Sequence, residues 1–153
     1  MKKRLKGILL LLILCLLFVA CGKSQDNNSN SVNDIKANVQ LENTKKSITE
    51  IAENFFAAFE NSDYESMKTL CTQDCIDTYF HDGDVFGMVW AKATKIGDEI
   101  RTLSENEYSV FVDVEMKPSE VSAFSPKDTN TSFYVVIKKQ DAGGWLIDKF
   151  TTG

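Results

Sequence analysis

Apolar residues fall into three patterns along this chain. Ile8 to Ala20 is an unbroken apolar run behind the basic head Met1–Lys6. Ile48, Ile51, Ala52, Phe55, Phe56 and Phe59 then recur at three- and four-residue spacing, which predicts a helix with one wide apolar stripe. Later, Tyr108, Val110, Val112, Val114 and Met116 alternate with Ser109, Phe111, Asp113 and Glu115, the period of a half-buried strand.

Punctuation between these runs divides the rest. Ser47-Ile48-Thr49-Glu50 reads as a capping box, with a start one turn earlier as the alternative, and Asn61 as a stop. Ser62-Asp63-Tyr64-Glu65 reads as a second capping box, opening a helix that buries Tyr64, Met67, Leu70 and Cys71. A third helix is expected from Thr72 to Phe80, burying Cys75, Ile76 and Tyr79 or Phe80, with His81-Asp82-Gly83-Asp84 as the polar turn that ends it. A long strand is expected from Val85 to about Leu103 with a bend at Gly97. The alternating strand follows, then a loop from Lys117 to Asn130 holding Pro118 and Pro126. Thr131–Gln140 and Trp145–Thr151 read as strands joined by the Asp141–Gly144 turn. Helices followed by hairpin-linked strands give an α+β class, with N-terminal helices packed on a curved antiparallel sheet of about four strands.

The leading run is shorter than the about 20 apolar residues that span a bilayer, and with its basic flank it suits a secretory signal peptide. Its end, Val19-Ala20-Cys21, resembles the lipobox of bacterial lipoproteins, with Phe18 where that pattern usually has Leu. The resemblance implies a diacylglycerol thioether on Cys21, cleavage after Ala20, and a lipid-anchored chain on the outer face of the bacterial cytoplasmic membrane. Two acyl chains, at about 0.8 kcal/mol per buried methylene, anchor stably where one does not. The expected organisation is a signal peptide over 1–20, a lipidated Cys21 and flexible Asn-rich tether over 21–43, and a folded domain over 44–153. As a coil of about 20 residues, the tether spans roughly 25 Å.

Charge narrows the function classes. The head holds four basic side chains and no acid, which leaves 13 basic against 22 acidic over residues 21–153, a formal −9. That balance argues against nucleic acid as a partner. The single histidine, His81, leaves little for histidine catalysis, and no Gly-rich phosphate loop or Ser-His-Asp grouping is present.

The stretch "AENFFAAFENSDYESMKTLCTQD", residues 52–74, resembles the opening of nuclear transport factor 2-like domains, where an aromatic-rich helix leads through a polar turn into a second helix. "GGWLIDKF", residues 143–150, resembles their closing strand. The resemblance covers roughly residues 45–152 and is similar in arrangement to domains of unknown function on bacterial surface lipoproteins. It implies a cone-shaped domain whose curved sheet wraps a long helix and can leave a pocket at the open end. It implies no activity, because this fold hosts isomerases, dehydratases, cyclases and binding modules.

Candidate chemistry is sparse. Cys71 and Cys75 either form a disulfide or stay as buried thiols; on one continuous helix their Cα atoms would stand about 6 Å apart, near the upper limit for a bridge. No metal-ligand spacing surrounds them, and neither a metal nor a cofactor is expected. Asp148 lies between Leu146 and Phe150 on its strand face and is the one acid suited to a buried base, with Tyr108 or Tyr134 as acid; if Trp145 and Ile147 form the core face instead, Asp148 is solvated. Trp90 is a further pocket candidate, and Phe124, in the proline-bearing loop, suits a partner contact. The sequence therefore points to a non-enzymatic binding domain for a protein or small molecule, held to membrane lipid through acylated Cys21. The alternatives are an isomerase- or dehydratase-type enzyme with an acid–base pair in its pocket, and an accessory of cell-envelope assembly.

Overall fold

A computed structural model describes residues 28–151, with side-chain surroundings from residue 35; the apolar leader and Cys21 lie outside the described residues. By contacts the chain divides into residues 1–39 and 40–153, and the fold below is that of the second unit. No helix among the described residues is long and apolar enough to cross a membrane.

Helix α1 spans Asn28–Glu60, well ahead of the Ser47 start expected from the capping box. Ser47 lies inside it and donates its hydroxyl back to the Asn43 carbonyl at 3.1 Å. No glycine or proline interrupts residues 28–60, so a helix nucleated on its packed C-terminal half can propagate backwards at little cost per residue. Burial, however, begins where the apolar stripe does. Residues 35–43 are exposed, while Ile48, Ala52, Phe55, Phe56 and Phe59 are buried. The stretch read as a coiled tether is thus helical from Asn28.

The helix ends in a Schellman arrangement. Asp63 donates its backbone N–H to the Ala58 carbonyl at 3.0 Å, and Ser62 donates to that of Phe59 at 3.0 Å. Ser62 holds the left-handed conformation usual for glycine there, with φ 54°. It therefore terminates α1 rather than capping the next helix. That cap is Asp63, whose carboxylate accepts from the Ser66 amide at 3.1 Å and the Ser66 hydroxyl at 2.6 Å, opening α2 (Tyr64–Lys68). Thr72 caps α3 (Gln73–Tyr79) by accepting from the Cys75 amide at 3.2 Å.

One antiparallel sheet of six strands, in chain order, follows: β1 (Phe80–His81), β2 (Asp84–Val85), β3 (Met88–Ser104), β4 (Glu107–Pro118), β5 (Asn130–Lys139) and β6 (Trp145–Thr151). The α+β class holds, while the count of about four is corrected by β1 and β2. Each is two residues long, too short to leave a period-two pattern. His81-Asp82-Gly83-Asp84 is their hairpin turn, pairing His81 with Asp84. The long strand expected from Val85 is broken at Phe86 and Gly87, both at positive φ. Its bend at Gly97 is present as a register shift between the pairs Ile96–Val112 and Ile100–Val110. A Cβ at Gly97 would lie 3.1 Å from the Phe111 carbonyl, so a larger residue there would push β3 and β4 apart by a few tenths of an ångström.

The alternating face of β4 (Tyr108, Val110, Val112, Val114, Met116) is buried, as are Phe133, Val135 and Ile137 of β5. Phe55 packs edge-on to Phe59 with ring centroids 5.9 Å apart, and Phe56 meets Phe133 at 6.0 Å. This aromatic layer joins α1 to the sheet. Strand β6 lies at one margin of the sheet, and the chain between α2 and α3 runs along its open side. Thr72 donates its N–H to the Ile147 carbonyl at 2.8 Å, and Ile147 donates to the Leu70 carbonyl at 2.8 Å.

Candidate aromatic cleft

Two reversals of the backbone build an apolar recess beside the helix-to-sheet junction. The β1–β2 hairpin brings Asp84 back beside His81, and the Phe86-Gly87 turn then projects Phe86 before β3 departs. Phe86 sits at φ 53°, a left-handed conformation that costs a bulky residue about 1–3 kcal/mol and persists only where its surroundings fix it. Those surroundings are specific. The Phe86 N–H donates to the Tyr79 carbonyl at 2.8 Å, and the Phe86 ring contacts Tyr79 at 5.4 Å, Phe150 at 5.5 Å and Phe124 at 6.4 Å between centroids.

The β4–β5 loop closes the other wall. Ser119 donates its N–H to the Gly87 carbonyl at 2.9 Å, holding the loop against the turn. Ser122 sits so close that a Cβ at Gly87 would come 2.6 Å from its hydroxyl oxygen. Phe124, expected as an exposed loop aromatic, is instead half-buried on the core, while Val121 at the rim is 86% exposed. The resulting cleft has a volume of about 550 Å³ and is lined by Tyr79, His81, Asp84, Phe86, Val121 and Phe124, among others. That size suits a small organic ligand.

Asp84 is the charged group of this cleft and is only 2% exposed. Its Oδ1 accepts from the Gly87 N–H at 3.2 Å and lies 3.5 Å from His81 Nδ1. Next to it, burial pushes the Tyr64 phenol above its ordinary value, and the Asp84 charge adds to that shift. The Tyr64 hydroxyl lies 2.6 Å from the Val89 carbonyl and 3.0 Å from the Gly83 carbonyl and shares its one proton between them, which ties the hairpin to β3.

The residues singled out from sequence are scattered. Asp148 lies at a bulge in β6, where the register shifts between Val136–Lys149 and Ile137–Ile147. The extra residue puts both Ile147 and Phe150 into the core, so the simple alternation that paired Asp148 with Phe150 fails there. The Asp148 carboxylate accepts from the Thr72 hydroxyl at 3.1 Å. Tyr108 is buried edge-on to Trp145 at 5.2 Å. Tyr134 faces the other side of the sheet, packed on Phe111 at 5.3 Å with the Arg101 guanidinium 5.0 Å over its ring. Trp90 lines a shallow depression with Glu60, Lys92 and Glu115. The hydrogen bond from Lys92 to Glu60, 2.7 Å long, holds the Lys92 ammonium above its ordinary value. Cys71 and Cys75 are both free and buried. Hydrogen bonding with Cys75, then burial, pushes the Cys71 thiol far up.

Sequence reasoning missed Asp84, Tyr79 and Phe86 as one site. The available signal was the pair Gly83 and Gly87 flanking Asp-Val-Phe, two turns within five residues. Among the described residues no group of three or more metal-ligating side chains converges. Fold and cleft together define a helix-on-antiparallel-sheet domain with an aromatic recess at the helix-to-sheet junction. No protein-family model matches the chain, and no curated protein matches it.

Proposed function

We propose that this chain is a lipid-anchored, extracytoplasmic binding domain of nuclear transport factor 2-like build, with the aromatic cleft as its ligand site. The observation that carries the reading is the backbone strain at Phe86, held in place by Tyr79 and the β4–β5 loop so that an aromatic ring lines a recess of ligand size. The anchor rests on the Val19-Ala20-Cys21 motif behind an apolar run. The family likeness is supported by the order of elements, an aromatic helix, two short helices and then an antiparallel sheet.

The acid–base pair that an isomerase would need is poorly supported at the positions the sequence offered. Asp148 and Tyr134 are absent from the cleft lining, and Asp148 is engaged by Thr72. The ligand-binding reading is therefore preferred over the enzymatic one.

A single preparation tests both parts. Protein extracted from the membrane of expressing cells should carry an acylated Cys21 as its first residue, and an intact Met1 terminus would refute the anchor. In the same sample, titration with benzyl alcohol, followed by amide NMR, should shift Gly87, Ser122 and Phe124 and leave Lys95 to Arg101 unmoved. Shifts distributed without regard to the cleft would overturn its assignment as the ligand site.

A further inference from the structure

The buried carboxylate in the cleft has incomplete partners. Asp84 Oδ1 accepts from Gly87 at 3.2 Å and lies 3.5 Å from His81 Nδ1, while Oδ2 is not among the fully buried, unpartnered atoms of the described residues and keeps a narrow opening to solvent. A carboxylate that is 2% exposed and shares its cleft with aromatic rings has little water around it and gains from a further donor or cation. No lysine or arginine lines the cleft, and the nearest candidate, His81, has a side chain 62% exposed at its rim. The site thus combines one buried negative charge with three aromatic rings, those of Tyr79, Phe86 and Phe124.

We propose that the cleft takes an organic cation, with the ammonium group set between the Asp84 carboxylate and the aromatic faces of Tyr79, Phe86 and Phe124; this rests on the cleft being a ligand site as argued above. Each alternative ligand class meets an obstacle. An anion would be brought against Asp84. A neutral apolar ligand would strip the remaining water from the carboxylate without replacing it. A hard metal ion needs several oxygen ligands, and here one carboxylate and one imidazole are available. An ammonium ion answers both features, because the ring faces attract a cation within about 6 Å and the carboxylate neutralises it.

Choline and its neutral carbon isostere 3,3-dimethylbutan-1-ol separate the charge from the shape. Both are titrated into the full chain in dodecyl maltoside micelles, followed at the amides of Gly87, Ser122 and Phe124. We expect choline to bind at least about tenfold more tightly than the isostere. Asp84→Asn should bring the two dissociation constants within about twofold of each other. Phe124→Leu, an aliphatic change in a loop, should weaken choline severalfold and leave the isostere nearly unchanged. If Asp84→Asn does not fold, the choline-to-isostere ratio of the unaltered chain and the Phe124→Leu variant decide. Equal affinities in the unaltered chain overturn the cation proposal and leave the cleft as a neutral ligand site. No shift at the cleft amides with either compound, and none with benzyl alcohol, removes the ligand site itself.

Discussion

Thr72 and Asp148, 76 residues apart in the chain, are joined through one hydroxyl. The Thr72 oxygen donates to Asp148 at 3.1 Å and accepts from the Cys75 amide at 3.2 Å, so a single atom caps α3 and ties it to β6. Thr72→Val keeps the shape and removes both bonds. It should cost about 1–2 kcal/mol, the sum of a lost cap and a lost side-chain hydrogen bond. Asp148→Asn retains an acceptor oxygen and should cost well under half as much. Urea unfolding of the two variants checks the order, and equal losses would show that removing the Thr72 hydroxyl costs no more than neutralising Asp148.

Gly87 is the second sensitive point. Gly87→Ala meets a φ of +75° and the Ser122 hydroxyl 2.6 Å from the new carbon. We expect a loss of about 1–3 kcal/mol. Adding Ser122→Ala removes the clashing oxygen and should restore part of that loss, leaving the backbone component. A Gly87→Ala protein as stable as the parent would contradict the close approach of the loop.

The carboxylate of Asp63 gives a pH signature. Hydrogen bonds from the Ser66 side chain and then its amide hold it below the ordinary value of 3.8. A carboxyl lowered in the folded state adds stability above its unfolded value, and that stability disappears as pH falls through the lower folded value. Asp63→Ala should therefore melt below the parent at pH 7, with the gap narrowing only under pH 4. A gap independent of pH would mean that the carboxylate charge plays no part in the cap.

Cys71 and Cys75 should be inert in the folded protein. Both are buried, and the Cys71 thiol is held far above its ordinary value, so little nucleophilic thiolate forms at pH 8. Iodoacetamide should label neither in native buffer and both after unfolding in guanidinium without reductant. Failure to label after unfolding would mean that the two are bridged.

How much of this was legible depends on the length of each pattern. The α1 stripe repeats over about three turns, and the β4 alternation covers nine residues, so both survive as buried faces. The strands β1 and β2 leave no repeat to detect. Ser62 was misassigned because serine is common at helix starts, while its left-handed φ is set by the Ala58 and Phe59 carbonyls it helps to satisfy. Neither alternation weighed for Asp148 describes β6 fully, because a bulge that composition does not mark puts both Ile147 and Phe150 in the core. The cleft around Asp84 is completed by Val121 to Phe124, more than thirty positions further along the chain, which no local window contains.

The strip from Leu70 to Thr72 along β6 has a consequence for the fate of the chain. The Ile147 amide and carbonyl that it satisfies would otherwise be open to any extended peptide, including another copy of this protein. The helices on either side of that strip are only five and seven residues long, the elements most prone to fray. Fraying there would uncover a strand margin rich in Trp, Leu, Ile and Phe. Aggregation of this protein should therefore track the local opening of two small helices, well before the core around Phe55 gives way.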